Sequence, residues 1–156
     1  MNRKADKNHV IRLRGPWEIE PLARFVEAGA GEHGEVTGDL PAGGKTLVPG
    51  DWAELLGADF LGRARYTRRF NCPTNLDPHE RVWLVFDGVN EEAQVTLNGQ
   101  PLGQFTAGQC PHPFEITRLL VPHNVLVVEV CRRTASDHCG GLVGEVRLEI
   151  GGDAAK

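Results

Sequence analysis

Residues 81–97 read RVWLVFDGVNEEAQVTL, two segments in which apolar and polar residues alternate around a short polar turn. The second segment runs into Asn98-Gly99, the dipeptide best suited to a type I′ hairpin turn, because both turn positions need φ > 0. We expect the next strand to start at Pro101-Leu102. This arrangement is typical of antiparallel strands that follow one another through tight turns.

The same pattern recurs further along the chain. The segments PHPFEI at 111–116 and VLVVEVC at 125–131 are short and apolar. EVRLEI at 145–150 alternates cleanly enough to place its valine, leucine and isoleucine on one face of a strand. Repeated short strands of this kind predict an all-β fold, an antiparallel β-sandwich of about eight or nine strands.

Length and composition indicate one domain. A chain of 156 residues suits a single core that buries roughly 70% of the surface of the unfolded chain. Its 19 glycines and 10 prolines favour many turns over long helices. We therefore assign residues 1–156 to one β-sandwich domain, with a long surface loop at 29–44 and a short edge strand near 35–37 inside it.

The N-terminal third is less regular. Residues 10–13, followed by GPWEI at 15–19, predict a first strand with a kink. The segment 21–28 predicts a short helical turn, since proline is favoured at the first helical position. Asp51 is placed to cap a short turn that extends to Leu56.

Charge and targeting signals exclude two classes of partner. The net charge is −4 and the arginines are scattered, so we expect no nucleic acid. The first residues are charged, and no segment approaches the ~20 apolar residues that span a bilayer, so we expect no membrane association and a cytoplasmic location. The four cysteines lack CxxC spacing and are expected to be free thiols.

Eight short motifs occur in order between residues 48 and 150. They are VPGDW (48–52), YTRRF (66–70), LVFDGVN (84–90), VTLNG (95–99), LG (102–103), PFEIT (113–117), NVLVV (124–128) and GGLVGEV (140–146). Together they resemble the N-terminal sugar-binding domain of glycoside hydrolase family 2, the family of β-galactosidases, β-glucuronidases and β-mannosidases. The resemblance implies a jelly-roll sandwich with a galactose-binding-domain-like fold.

The resemblance also implies a limited function. The catalytic glutamates of the family lie in a separate TIM-barrel domain, so we expect no catalytic residues, no cofactor and no glycoside hydrolysis by this chain alone. We expect it to bind carbohydrate of the galactoside, glucuronide or mannoside class. In β-galactosidases the last motif places a carboxylate beside the sugar, and Glu145 falls at that position. Val143 replaces the aromatic residue of that motif, and Gly144 replaces its arginine.

Candidate sugar ligands lie in loops that the resemblance places at one end of the sandwich. Aromatic stacking is expected from one of them and hydroxyl hydrogen bonds from the others. They are Trp52, Asn90, Gln109, His112, Asp137 and Glu145. Core packing is the alternative role for Trp52, and a solvated position on an edge strand is the alternative for Glu145.

A metal site is a second possibility for the same loops. Cys110, His112, His138 and Cys139 are residue types that zinc prefers, although adjacent residues in an extended segment point to opposite sides. Surface histidines and packed thiols that ligate nothing are the alternative, and we expect no metal. In an oxidising compartment, Cys110 and Cys139 would be the first disulfide to test.

A rival function is a scaffold that kept the sandwich and lost sugar recognition. In the resembled enzymes this domain packs against the catalytic barrel. A chain without the barrel exposes that face, which favours a homodimer or docking onto a separate glycosidase.

Overall fold

Two antiparallel β-sheets pack face to face in the computed structural model, which describes residues 9–27, 33–135 and 139–152. The strands are β1 His9–Arg12, β2 Trp17–Glu27, β3 His33–Val36, β4 Gly44–Thr46, β5 Gly62–Asn71, β6 Arg81–Phe86, β7 Glu92–Leu97, β8 Gln100–Thr106, β9 His112–Glu115, β10 His123–Arg132 and β11 Val146–Gly151. One helical turn, α1 (Ala53–Leu56), and two 3-10 turns, Ala107–Gln109 and Thr117–Leu119, complete the described elements. The predicted all-β sandwich is confirmed.

The sheets differ in size. The smaller sheet has the order β1-β11-β6-β9, and the larger has the order β3-β2-β5-β10-β7-β8 with β4 added beside β2. Every strand pair is antiparallel. The eleven strands of the described residues exceed the eight or nine predicted, and the shortest of them is β4, with three residues.

The core lies between the sheets and is built by alternation. Val146, Leu148 and Ile150 of β11 are all buried on the predicted face. Trp17 and Tyr66 meet edge to face across the larger sheet, with ring centroids 6.1 Å apart. Fully burying one large apolar side chain of this kind contributes roughly 1.5–3 kcal/mol, so these rows of the core dominate the stability of the sandwich.

The predicted hairpin turn is confirmed. Asn98 and Gly99 have φ of 52° and 82°, as a type I′ turn requires. The Asn98 side chain also accepts a hydrogen bond from Val125 N at 2.8 Å and donates to Asn124 Oδ1 at 2.9 Å. The turn is thereby fixed to the start of β10.

The helical turn predicted at 21–28 is wrong, since β2 continues through this segment to Glu27. Pairing with β5 decides the conformation, and the register shifts between Pro21 and Ala23. A bulge is one of the few places where a strand tolerates proline, which lacks the N–H of the ladder.

The edge strand predicted near 35–37 is observed as β3, so the assigned loop at 29–44 contains a strand. Residues 28–32 lie outside the described part.

Other expectations concern membranes and thiols. Among the described residues, no helix has the length and hydropathy needed to cross a bilayer. Cys72, Cys110, Cys131 and Cys139 are all free thiols, as predicted.

Candidate functional site

Three connections converge at one end of the sandwich. They are the β6–β7, β8–β9 and β10–β11 connections, and they surround an open depression of about 620 Å³. We call it the loop depression, and its described lining consists of Val89, Asn90, Glu91, Ala107, Thr134, Cys139 and Val143. The structure thus brings the segment before Pro113 and the segment before Gly140 to the same end, as expected.

Residues of the β6–β7 connection form hydrogen bonds to the other two loops. Asn90 Oδ1 accepts a hydrogen bond from Gly141 N at 2.8 Å, and Asn90 N donates to Gly141 O at 3.2 Å. The two carboxylate oxygens of Glu91 accept from Arg133 N at 2.9 Å and Thr134 N at 2.7 Å. The backbone oxygen of Glu91 accepts from Ala107 N at 2.9 Å. The sequence analysis missed Glu91, whose only signal was its position next to Asn90.

Asp51 ties α1 to the β10–β11 connection. Its Oδ1 accepts from Ala53 N, the first residue of α1, at 3.0 Å and from Gly140 N at 3.1 Å, although the N-cap residue itself is Trp52. Burial by itself raises the pKa of Asp51, but these bonds, the Cys139 thiol and the Arg132 charge together hold that pKa below its usual value. Asp51 therefore stays ionised at neutral pH.

Trp52 does not provide a surface platform. Only 2% of it is exposed, and its ring packs edge to face against Phe60 with centroids 5.4 Å apart. Its backbone N–H donates to Gly140 O at 3.0 Å, which holds the loop down onto the sandwich. Core packing, the alternative for this tryptophan, is what the structure shows, so its face cannot stack on a sugar in this conformation.

Gly141 and Tyr66 form the buried base of the same loop. Tyr66 Oη accepts from Leu142 N at 3.1 Å. Burial raises the pKa of Tyr66 well above its ordinary value, so the hydroxyl stays protonated. Gly141 has φ of +92°, and a Cβ at this position would lie 2.0 Å from Tyr66 Oη. Only glycine fits there.

Glu145 lies in an ion-pair cluster outside the described lining of the depression. Its Oε2 accepts from Arg12 Nε at 2.7 Å and lies 3.9 Å from Arg14, while Oε1 lies 3.8 Å from Arg147. Its side chain is 24% exposed. Arg147 also contacts Asp87 at 2.7 Å, and this hydrogen bond raises the pKa of Arg147. Glu145 is therefore not simply solvated, and its carboxylate already has arginine partners.

Gln109 and His112 have local partners. Gln109 Oε1 accepts from Thr106 N at 2.9 Å and closes the 3-10 turn. His112 stacks on Phe105, with centroids 5.2 Å apart and planes 8° apart, and also contacts Phe114. Neither lines the depression. Asp137 lies outside the described residues.

The zinc site considered for these loops is not observed among the described residues. Within the described ranges there is no group of three or more His, Cys, Asp or Glu side chains that could hold a metal, and His138 lies outside those ranges. Burial raises the pKa of Cys110, whose Sγ donates to Thr106 O at 3.6 Å. The exposed Cys139 thiol donates to Asp51, and this bond raises its pKa.

Comparison with known proteins places the chain in a family. The sequence model for the glycosyl hydrolase 2 galactose-binding domain-like family matches residues 30–138, more than half of the chain. The chain belongs to this family. No protein of curated function is similar enough in sequence to count as a relative.

Solved structures of two β-glucuronidases and a rhamnosidase share the fold. The β-glucuronidase of Bifidobacterium dentium has a TM-score of 0.72 and 22% identity over 96% of this chain and 31% of that one. A β-glucuronidase from an uncultured Clostridium sp. has a TM-score of 0.71 and 19% identity over 98% of this chain and 30% of that one. A rhamnosidase from Novosphingobium sp. PP1Y has a TM-score of 0.60 and 21% identity over 96% of this chain and 16% of that one. The chain thus spans less than a third of each, and these identities show the fold alone.

Proposed function

We propose that the chain is a non-catalytic carbohydrate-binding domain whose site is the loop depression. One observation carries the proposal: two loops present the polar side chains of Asn90, Glu91 and Thr134 beside the apolar Val89 and Val143, and the third loop adds Ala107. Convergent polar groups next to apolar surface are what recognition of a sugar ring requires.

The hydrogen bonds already present prepare these groups for hydroxyls. Glu91 is held by two backbone N–H groups, and a carboxylate has further lone pairs with which to accept from a sugar. The Oδ1 of Asn90 is engaged by Gly141, so its NH2 group is the donor that would meet a ligand oxygen. The described lining contains no aromatic ring, so we expect millimolar affinity.

The negative charge of Glu91 predicts the relative affinities of the candidate sugars. The Bifidobacterium dentium enzyme was solved with coumarin-3-O-glucuronide, which makes glucuronides one class to test beside galactosides and mannosides. Glu91 would repel the carboxylate of a uronate in this depression, because like charges at short range are unfavourable. We therefore expect neutral galactosides or mannosides to bind here more tightly than glucuronate.

Protein-observed NMR titration with galactose, mannose and glucuronate tests the proposal. Saturable shifts confined to residues 89–91, 107 and 139–143 support it. Glu91→Gln should keep the fold and weaken binding about fivefold to tenfold, because it replaces one carboxylate oxygen with an NH2 group. Gln94→Glu, on the exposed face of β7, serves as a charge-changing control and should leave the affinity unchanged. No saturable shift with any of the three sugars would refute sugar binding at this site.

Association with a second copy is the other candidate function. Trp83 is half-buried between the fully buried Val82 and Leu84, which places it on the outer face of the smaller sheet. Val10 and Ile11 are each 39% exposed at the edge of that sheet. Exposed apolar groups on one sheet favour a homodimer. Sedimentation analysis at rising concentration should show a dimer that Trp83→Ala dissociates, and a strictly monomeric chain would exclude it.

A further inference from the structure

A second open groove, of about 600 Å³, lies at the opposite end of β10 from the loop depression. Strands β1, β5 and β10 border it. We call it the arginine groove, and its described lining consists of Ile11, Arg12, Leu13, Arg68, Arg69, Phe70, Asn71, His123, Asn124 and Val125. Its size is within the range of small-molecule sites.

The arginine groove concentrates positive charge in an acidic protein. The chain carries a net charge of −4, yet the described lining contains three arginines and no aspartate or glutamate. Two of these arginines are neutralised by acids outside the lining. Arg12 pairs with Glu145 at 2.7 Å, and Arg69 lies 3.8 Å from Glu18. The third, Arg68, has no acidic partner in the described part of the chain.

Arg68 occupies a position that the strand pattern reserves for the core. Alternation along β5 buries Tyr66 and Phe70, and Arg68 lies between them on the same face. Its register partner on β10 is Leu126, which is fully buried. A charged residue at such a position costs stability unless it is compensated.

The local hydrogen bonds compensate the guanidinium only in part. One terminal nitrogen of Arg68 donates to the backbone oxygen of Arg69. The Nε atom is buried and has no hydrogen-bond partner among the described residues. Burial also lowers the pKa of Arg68, which shows that its charged form is poorly solvated. An anion in the groove would supply the missing charge at the terminal nitrogens of the guanidinium, since the buried Nε is closed to solvent.

We propose that the arginine groove binds an oxyanion, the carboxylate or phosphate group of a small ligand, with Arg68 as its main donor. The guanidinium presents a planar fork of N–H groups that matches carboxylate and phosphate oxygens in a bidentate arrangement. Arg12, Arg69 and His123 offer further N–H donors at the rim. The site is independent of the loop depression and of any sugar bound there.

NMR titration of the full chain at constant ionic strength tests this site, with sodium chloride as the reference salt. Inorganic phosphate and glucuronate are the two probes, and galactose is the neutral control. Saturable shifts at residues 11–13, 68–71 and 123–125 with phosphate or with glucuronate, absent with galactose, support the proposal. Saturation by phosphate alone assigns a phosphate ligand, and saturation by glucuronate alone assigns a carboxylate. Shifts that match those of chloride would overturn it.

Variants separate the groove from general electrostatics. Arg68→Gln should weaken the bound probe about tenfold or more, because a charge-assisted bidentate contact is lost. Arg65→Gln is the matched control, since it removes the same charge from the same strand on the opposite, outer face, where Arg65 pairs with Glu20 at 3.3 Å. Equal affinity in Arg68→Gln and Arg65→Gln would overturn the proposal.

Two further variants test whether a loss of anion binding is caused by misfolding. Arg68→Met keeps the length of the side chain and removes the unpaired charge, so we expect the same or a higher Tm together with lost anion binding. Arg12→Gln alters a side chain that is 50% exposed and should weaken the probe about threefold at low salt with little change in Tm. Undiminished binding in both would contradict the proposal. Because the proposed sugar site predicts shifts from neutral sugars in the loop depression and none in the arginine groove, failure here is distinguishable from failure of that site.

Discussion

Two separate constraints require glycine at position 141. Gly99 shares only one of them and therefore allows the two to be distinguished. Its φ of +92° disfavours any other residue, and a Cβ would overlap Tyr66 Oη at 2.0 Å. Gly99 has a similar φ of +82°, but a Cβ there would meet nothing within 4 Å. The pair therefore distinguishes backbone strain from steric overlap in the base of the loop depression.

We predict that Gly99→Ala costs about 1 kcal/mol of unfolding free energy, the price of a left-handed residue with a side chain. Gly141→Ala should cost about 3 kcal/mol or more, because overpacking is added to the same strain. Chemical denaturation measures both values. Equal losses in the two variants would mean that the loop moves away from Tyr66 at little cost.

At the scale of elements, alternation allowed most of the strands to be predicted. Strands β5, β6, β7, β10 and β11 each bury every second residue over much of their length, and that pattern is local. The second half of β2 could not be predicted in this way, because Pro21 is a good helix start in isolation. Long-range pairing with β5 and a bulge after Pro21 decide its conformation.

The location of the candidate site could be predicted from the sequence, but most of its lining residues could not. Motif order placed Asn90 in a loop at the correct end of the sandwich, and the structure finds it there. The burial of Trp52 depends on Phe60 and on the loop at Gly140, which no local pattern specifies. Likewise, the pairing of Glu145 with Arg12 depends on the register between β1 and β11.

Asp51 joins two elements, and its contribution should depend on pH. Its lowered pKa means that the ionised form stabilises the fold above the ordinary carboxylate pKa, about 3.9. That stability is lost as the pH falls through the lower pKa of the folded state. We predict that Asp51→Ala costs about 1–2 kcal/mol at neutral pH, through the lost bonds to Ala53 N and Gly140 N.

Asp51→Asn is the matched variant for the charge, because it keeps one acceptor oxygen and the shape of the side chain. The difference in unfolding free energy between wild type and Asp51→Asn should shrink as the pH falls below about 4. Urea unfolding at a series of pH values measures that difference. A constant difference down to the acid-unfolded state would show that the Asp51 charge does not stabilise the fold.

At the scale of the whole molecule, the two grooves lie at opposite ends of one strand. Strand β10 begins at the arginine groove and ends at the loop depression. Its central residues Leu126, Val128 and Val130 are fully buried between the sheets. A close-packed core has few alternative arrangements, so each groove should bind its ligand without altering the other.

Thiol labelling compares two cysteines of different exposure. Cys131 is 7% exposed on the outer face of β10, where it borders Arg63 and Glu92, and burial raises its pKa, so we expect it to react slowly. Cys139 is exposed in the loop depression and should react from the native state. We predict that Cys139 is labelled about 100-fold faster than Cys131 at neutral pH, as measured by mass spectrometry of labelled peptides. The hydrogen bond to Asp51 raises the pKa of Cys139, so Asp51→Asn should accelerate labelling of Cys139 at neutral pH. Equal labelling rates for Cys131 and Cys139 would contradict the covered position of Cys131.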